Sequence, residues 1–136
     1  MATVLTSVGK AIATGRQLST PPAAGQPGAT APRYIQWGTG AGTAAVGDVT
    51  CFTAAAEARV LGTDSQVTTT VTNDTYQVVG TITSATGQTI TNAATFDAAG
   101  TGSPATGGNI AVHGDFAGIA LNSGDSIQFT IKTQLT

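Results

Sequence analysis

Few side chains in this 136-residue chain can do chemistry: one His, one Cys, five Lys plus Arg and seven Asp plus Glu. A nucleophilic triad would have to use His113 as its base. Around it, Ile110, Val112 and Phe116 alternate with Asn109, Ala111, His113 and Asp115. That parity turns His113 away from the apolar face and predicts an exposed sheet histidine. Cys51 precedes Phe52 and reads as a small buried apolar residue, with an intersubunit disulfide or an oxidised thiol as the alternatives. A Cys/His zinc site needs about four ligands, and the chain has two such residues. Gly38, Gly40 and Gly42 follow a strand, as a dinucleotide loop would. The third glycine comes one position early for G-x-G-x-x-G and no helix follows, so the stretch is a connection. Asp97, Asp115 and Asp125 lie near strand ends, where a calcium cage is conceivable. Calcium wants about six to eight oxygens, and Asp97 and Asp125 hold turn positions at which Asp bonds its own backbone. The sequence therefore predicts no catalytic residue, no metal ligand and no cofactor.

Composition points the same way. Charged residues are 9% of the chain, against roughly 25% in an ordinary domain. Thr, Ala and Gly number 26, 23 and 18, half of all residues. Five scattered cations cannot neutralise a phosphate backbone, which argues against nucleic acid. No apolar run reaches about 18 residues, which argues against a membrane-spanning helix. The opening MATVLTSVGK lacks the basic-then-apolar order of a signal peptide. Apolar residues at 40% with a net charge of -2 favour collapse over disorder.

The elements that must carry these residues follow from periodicity. In residues 1–18, Val4, Leu5, Val8 and Ile12 form one stripe, which predicts a short helix capped by Thr3 or Thr6 and ended near Gly15. Gly9 in its middle costs about 1 kcal/mol, and an extended arm is the alternative. Residues 19–32, STPPAAGQPGATAP, hold four of the five prolines. They predict an arm that lies along something. From Arg33 the period becomes two. Strands are predicted at 33–37, 65–72, 75–84, 88–96, 109–116 and 126–132. A tight hairpin is expected at Asn73-Asp74 and loops at 38–49 and 97–108. Residues 52–59 form a helical turn or an irregular bridge. In 88–96, Ile90, Asn92, Ala94 and Phe96 share a face. Trp37 is a core residue by the same pattern, with Tyr34 on the opposite face.

The predicted fold is mainly β: an antiparallel β-sandwich, jelly-roll or Ig-like, over 33–136, preceded by a helix and Pro/Gly/Ala-rich arm over 1–32. Its outward rows are Thr, Gln, Ser and Asn. Such a face needs little charge desolvated to pack on another protein, which favours assembly over the alternative of a thermally robust secreted-type β domain that simply has this composition. A carbohydrate-binding module is a third reading, although seven aromatics leave few for a binding platform.

Several segments, taken in order, resemble a family of small tailed-phage virion proteins and are similar to the N-terminal part of phage tail-collar fibre proteins. These are SVGKAIATGR (7–16), PRYIQWGTG (32–40), AAEAR (55–59), VTNDTYQVVGTIT (71–83), TITNAATFDAA (89–99) and DFAGIALNSGDSIQFTIK (115–132). The likeness spans about residues 7–132. It departs at Asn92, where the family has Glu, at Ala94-Thr95 in place of Gly-Leu, and in the longer first connection. It implies a virion structural role without enzyme activity or cofactor, in a particle assembled in the host bacterial cytoplasm, and a closing hairpin over 115–132. One compact domain with an arm suits a capsid decoration (cement) protein on the outside of the head, trimeric around a local three-fold. Its partner is then the major capsid protein. A tail, collar or baseplate component, or a short tail-fibre adaptor contacting tail proteins, is the alternative. The arm residues Pro21, Pro22, Gln26 and Pro27 would lie on a neighbour, with Arg33 pairing to a neighbour's acid or standing as an ordinary exposed charge.

Overall fold

Alternating apolar residues are buried efficiently when two sheets face each other, and a computed structural model of the chain, describing all 136 residues, has that architecture. The elements are β1 (Thr3–Leu5), α1 (Ser7–Gly15), β2 (Tyr34–Gly38), β3 (Val60–Leu61), β4 (Thr63–Val67), β5 (Thr75–Thr83), β6 (Gln88–Phe96), β7 (Ile110–Leu121) and β8 (Ser126–Gln134). They form an antiparallel sandwich of a five-stranded sheet, ordered β1-β7-β6-β2-β3, and a three-stranded sheet, ordered β4-β5-β8. The fold is mainly β with one short N-terminal helix, as the periodicity predicts.

Between the sheets lie Ile35, Trp37, Ile90 and Ala93 from one side and Val78 and Ile82 from the other. Trp37 is buried, its ring edge-on to Phe129 at 6.2 Å. Its indole N–H donates to Glu57 at 3.1 Å. The five-stranded sheet is covered on its other face as well. Ile35, Gln36 and Trp37 are consecutive and all buried, and consecutive strand residues point to opposite faces. The second cover is the loop pair 39–59 and 97–109, with Cys51, Ala94, Phe96 and Ile110 as its apolar core.

Several sequence expectations change. Val4 does not join a helical stripe, because residues 3–5 form β1 and pair with Val112, His113 and Gly114 of β7. The helix begins after Thr6, whose Oγ1 accepts from Gly9 N at 2.8 Å and donates to Ile110 O at 2.8 Å. Gly9 is a packing requirement: a Cβ there would collide with the Ala111 carbonyl, its carbon at 2.9 Å. The tight hairpin at Asn73-Asp74 is instead a longer loop, 68–74, between β4 and β5. The Asp74 carboxylate accepts from Thr69, Thr70 and Val71 N–H groups at 2.8–3.0 Å, and Asn73 takes a φ of 60°. A register shift between Ile90 and Asn92 splits the face predicted for 88–96. Ile90 joins Ala93 in the inter-sheet core, and Ala94 and Phe96 face the loops. The closing hairpin implied for 115–132 is absent. β7 pairs with β6 and β8 with β5, so 122–125 is a corner between sheets.

Candidate interaction surfaces

The predicted arm residues are tied to their own chain. The arm bends back through turns (Gln26 N to Ala23 O, 3.0 Å; Ala29 N to Gln26 O, 3.1 Å) onto the end of α1. A Cβ on Gly15 would meet the Pro27 carbonyl oxygen at 2.9 Å and the Pro22 ring at 3.2 Å. Thr30 Oγ1 donates to Asp97 O at 2.7 Å, and Asn109 Nδ2 to Gly25 O at 3.3 Å. Pro22 and Pro27 are half-buried in this contact, while Pro21 and Gln26 face solvent. Arg33, read as pairing to a neighbour's acid or as an ordinary exposed charge, pairs with Asp64 of its own chain at 3.7 Å. That pair is partly exposed and contributes little to stability.

His113 is not the exposed histidine that strand parity predicts. It is 0% exposed, because the 39–56 loop covers the face it points to. Its Nδ1 meets Asp48 Oδ2 at 2.6 Å and its Nε2 meets Asn92 Oδ1 at 3.1 Å, with the Phe52 ring 4.7 Å away. The Asn92 amide is oriented by Phe52, whose N–H donates to Oδ1 (3.0 Å) and whose carbonyl accepts from Nδ2 (3.1 Å). Oδ1 is therefore the acceptor facing Nε2, and Nε2 carries a proton. The nitrogen that a nucleophile would need is thus occupied by an amide in a sealed site. The group clamps the glycine-rich loop to the sheet.

Arg59 performs the same task for the other loop. Its guanidinium lies 3.6 Å from the Phe96 ring centroid and donates to Gln36 Oε1, Ala98 O and Gly107 O at 3.2, 3.0 and 2.8 Å. Cys51 is buried beside it, as the sequence predicts. Burial pushes its thiol up to about 12, partly countered by the Arg59 charge and helped by Asp48. Sequence reasoning missed Asp48, Asn92 and Arg59 as structural centres. Asn92, a polar residue in a row with Ala94 and Phe96, was the one available signal.

The three carboxylates weighed for calcium work separately. Asp97 holds Asn109 N (2.7 Å), Asp125 holds Asn122 N (2.8 Å), and Asp115 holds Ala44 N (2.8 Å) and Ala2 N (3.2 Å). The Ala44 N–H, more than burial opposes it, keeps the Asp115 carboxyl below the usual range, helped by Ala2 and the N-terminal ammonium. Trp37 and Phe96 are buried, and Tyr34, Phe52, Tyr76, Phe116 and Phe129 are half-buried.

The open surfaces include sheet edges and a cleft beside α1. The cleft, about 380 Å³, lies between α1 and the inner face of the three-stranded sheet, over Ile12, Val78 and Ile131. Asp64 and Gln66 reach its rim because they sit opposite Val78 and Tyr76 and share their inward face. The edges differ in length. β3 and β1 are two and three residues long, and β4 is five, with Asp64 turned inward. β8 is nine residues long and carries one charge, Lys132. Along β7, β1 pairs only with 112–114, so 116–121 has a second free edge with no charge at all.

No family model, no curated protein and no solved structure matches this chain.

Proposed function

We propose that the chain is a structural protein of a tailed-phage virion, acting by adhesion as a capsid decoration protein on the outer surface of the head. The observation that carries this reading is the surface: nearly uncharged long strand edges beside a proline-rich arm held on the outside of a sandwich. An uncharged edge offers backbone hydrogen bonds and small apolar side chains to a neighbour at little desolvation cost. A protein that binds the assembled shell and not its free subunits stabilises the shell by mass action. The titratable groups support the same reading, since His113, Arg59, Asp74, Asp97 and Asp115 each hold loops or chain ends in place. The virion-like segments of the sequence fall on α1, β2, β5, β6, β7 and β8, with 55–59 in the loop before β3. The major capsid protein is the partner in this reading.

A tail, collar or baseplate role is the second reading, favoured by the likeness of 32–40 and 115–132 to tail-collar fibre proteins. Counting copies per purified particle by quantitative mass spectrometry separates the two. Hundreds of copies support decoration. A handful, in multiples of three or six, replaces it with the tail role, and none refutes both.

A further inference from the structure

We propose that β8 is a self-pairing edge. Two copies of this chain join antiparallel along Ser126–Gln134, centred on Thr130, so that two three-stranded sheets become one continuous sheet. The inference concerns the isolated chain, does not depend on the virion reading, and sets a dimer in place of the trimer expected from the sequence.

The four outer strands are guarded differently, and the free part of β7, residues 116–121, is shorter than the nine-residue β8. Proteins that stay monomeric blunt their edges with short strands, inward charges, prolines or lysines. β1 and β3 are very short, and β4 turns Asp64 inward next to Arg33. β8 has none of these devices except Lys132, over nine residues.

The hydrogen-bond phase of β8 is set by its ends. Ser84 N donates to Asp125 O at 2.8 Å and Leu135 N to Asp74 O at 2.9 Å. Hydrogen-bonded pairs recur every second residue in an antiparallel ladder. The bonded positions on β8 are therefore Ile127, Phe129, Ile131 and Thr133, opposite Ile82, Gly80, Val78 and Tyr76. The intervening residues, Ser126, Gln128, Thr130, Lys132 and Gln134, direct their N–H and C=O groups off the edge. Water can satisfy those groups in the single chain, and an outside strand of the same phase can replace it.

A second β8 supplies it. Centred on Thr130, the antiparallel register sets Thr130 against Thr130, Gln128 against Lys132 and Ser126 against Gln134. Every outward-directed backbone pair then meets another, and the full strand is used. The same register lays Phe129 beside Ile131 of the second copy on the inner face. Both are only half-buried in the single chain, over a gap of about 150 Å³ that Phe116 and Val112 also line. Charge excludes one alternative: each Lys132 meets a neutral Gln128, whereas a pairing centred on Lys132 would oppose two ammonium groups, and a pairing centred on Gln128 would leave the end of β8 unused.

The test is the mass of the full chain in solution by sedimentation equilibrium. A dimer is expected. Gln128→Lys places like charges opposite each other twice and should raise the dissociation constant at least about tenfold. Adding Lys132→Glu to that variant should restore pairing. Gln128 is exposed, so both variants keep the fold, checked by circular dichroism. In parallel, Thr130→Cys should form an interchain disulfide under mild oxidation. Hydrogen-bonded partners sit about 5.5 Å apart at Cα, within the range a disulfide spans. Thr81→Cys, on the same outer face but one strand in from the edge, should form none. A monomer at every soluble concentration, a trimer, a dimer indifferent to Gln128→Lys, or equal cross-linking at 81 and 130 would overturn the proposal.

Discussion

Replacing Gly9 by Ala sets helix propensity against packing, with opposite predicted signs. Propensity alone says that Ala in the middle of α1 stabilises by about 1 kcal/mol. In the structure, the new Cβ would press on the Ala111 carbonyl oxygen, with the carbonyl carbon at 2.9 Å and Leu5 Cδ1 at 2.8 Å. The Leu5 methyl can rotate away, but the backbone of β7 cannot. Ordinary carbon–oxygen contacts need about 3.3 Å, so α1 must retreat on the order of 1 Å. Retreat strains the Thr6 Oγ1 bond to Ile110 O, now 2.8 Å, and loosens the space around Ile12, which is 2% exposed. Overpacking costs roughly 1–3 kcal/mol and a weakened buried hydrogen bond about 1 kcal/mol. After subtracting the propensity gain, the net destabilisation is about 2 kcal/mol. For a domain of this size that lowers Tm by roughly 6–10 °C. Urea and thermal unfolding followed by circular dichroism measure it. An unchanged or raised midpoint would mean that α1 does not sit against β7 as described.

Three further perturbations test the loops and the core. The Asp74 carboxyl is held well below its ordinary value by the N–H of Val71, with burial opposing and Thr69, Thr70 and Gln134 assisting. Its stabilisation is complete above about pH 4 and is lost as pH falls further, so Asp74→Asn should lower the urea midpoint at pH 7 and flatten its acid limb. An acid limb identical to that of the parent chain would remove Asp74 from this role. Asp48→Ala leaves His113 Nδ1 without its partner and Ala45 N without its acceptor, at a cost of about 1–3 kcal/mol. Limited proteolysis should then cut first within 39–53, and unchanged protection there would contradict the clamp. Cys51, with its thiol pushed up to about 12 by burial, countered in part by Arg59, should resist a maleimide in the native protein and react fully in denaturant. Rapid native labelling would show that the second layer is open.

Most strands were legible because each has one apolar face. β6 was expected at 88–96, which is where it lies, and β2, β5 and β8 fall within one or two residues of expectation. β1 was not legible, since three residues carry too little period and Val4 also fits a helical stripe. Strand parity failed at Ile90 because a bulge leaves no mark on composition. It failed differently at His113, which does turn from the inter-sheet core but shares its side with Ile110, expected opposite it, through the register shift between Ala94 and Phe96. That face is buried because a glycine-rich loop folds over it, and loop coverage is a tertiary fact. The arm's proline content foretold a segment that lies along something. Contacts as small as Gly15 against Pro27 then decide that it lies along its own chain. The free edge of β8 was hidden for a related reason: alternation reveals the faces of a strand and says nothing of which neighbours it has.

The claim that the chain cements a capsid is tested most directly on particles that lack it. Phage grown from a genome with the coding sequence deleted should yield heads that lose their DNA at a lower temperature than the parent particles. Adding the purified chain should restore the parent temperature and saturate at a fixed number of copies per head. Heads of equal heat stability with and without the chain, or no saturable binding to them, would contradict the account.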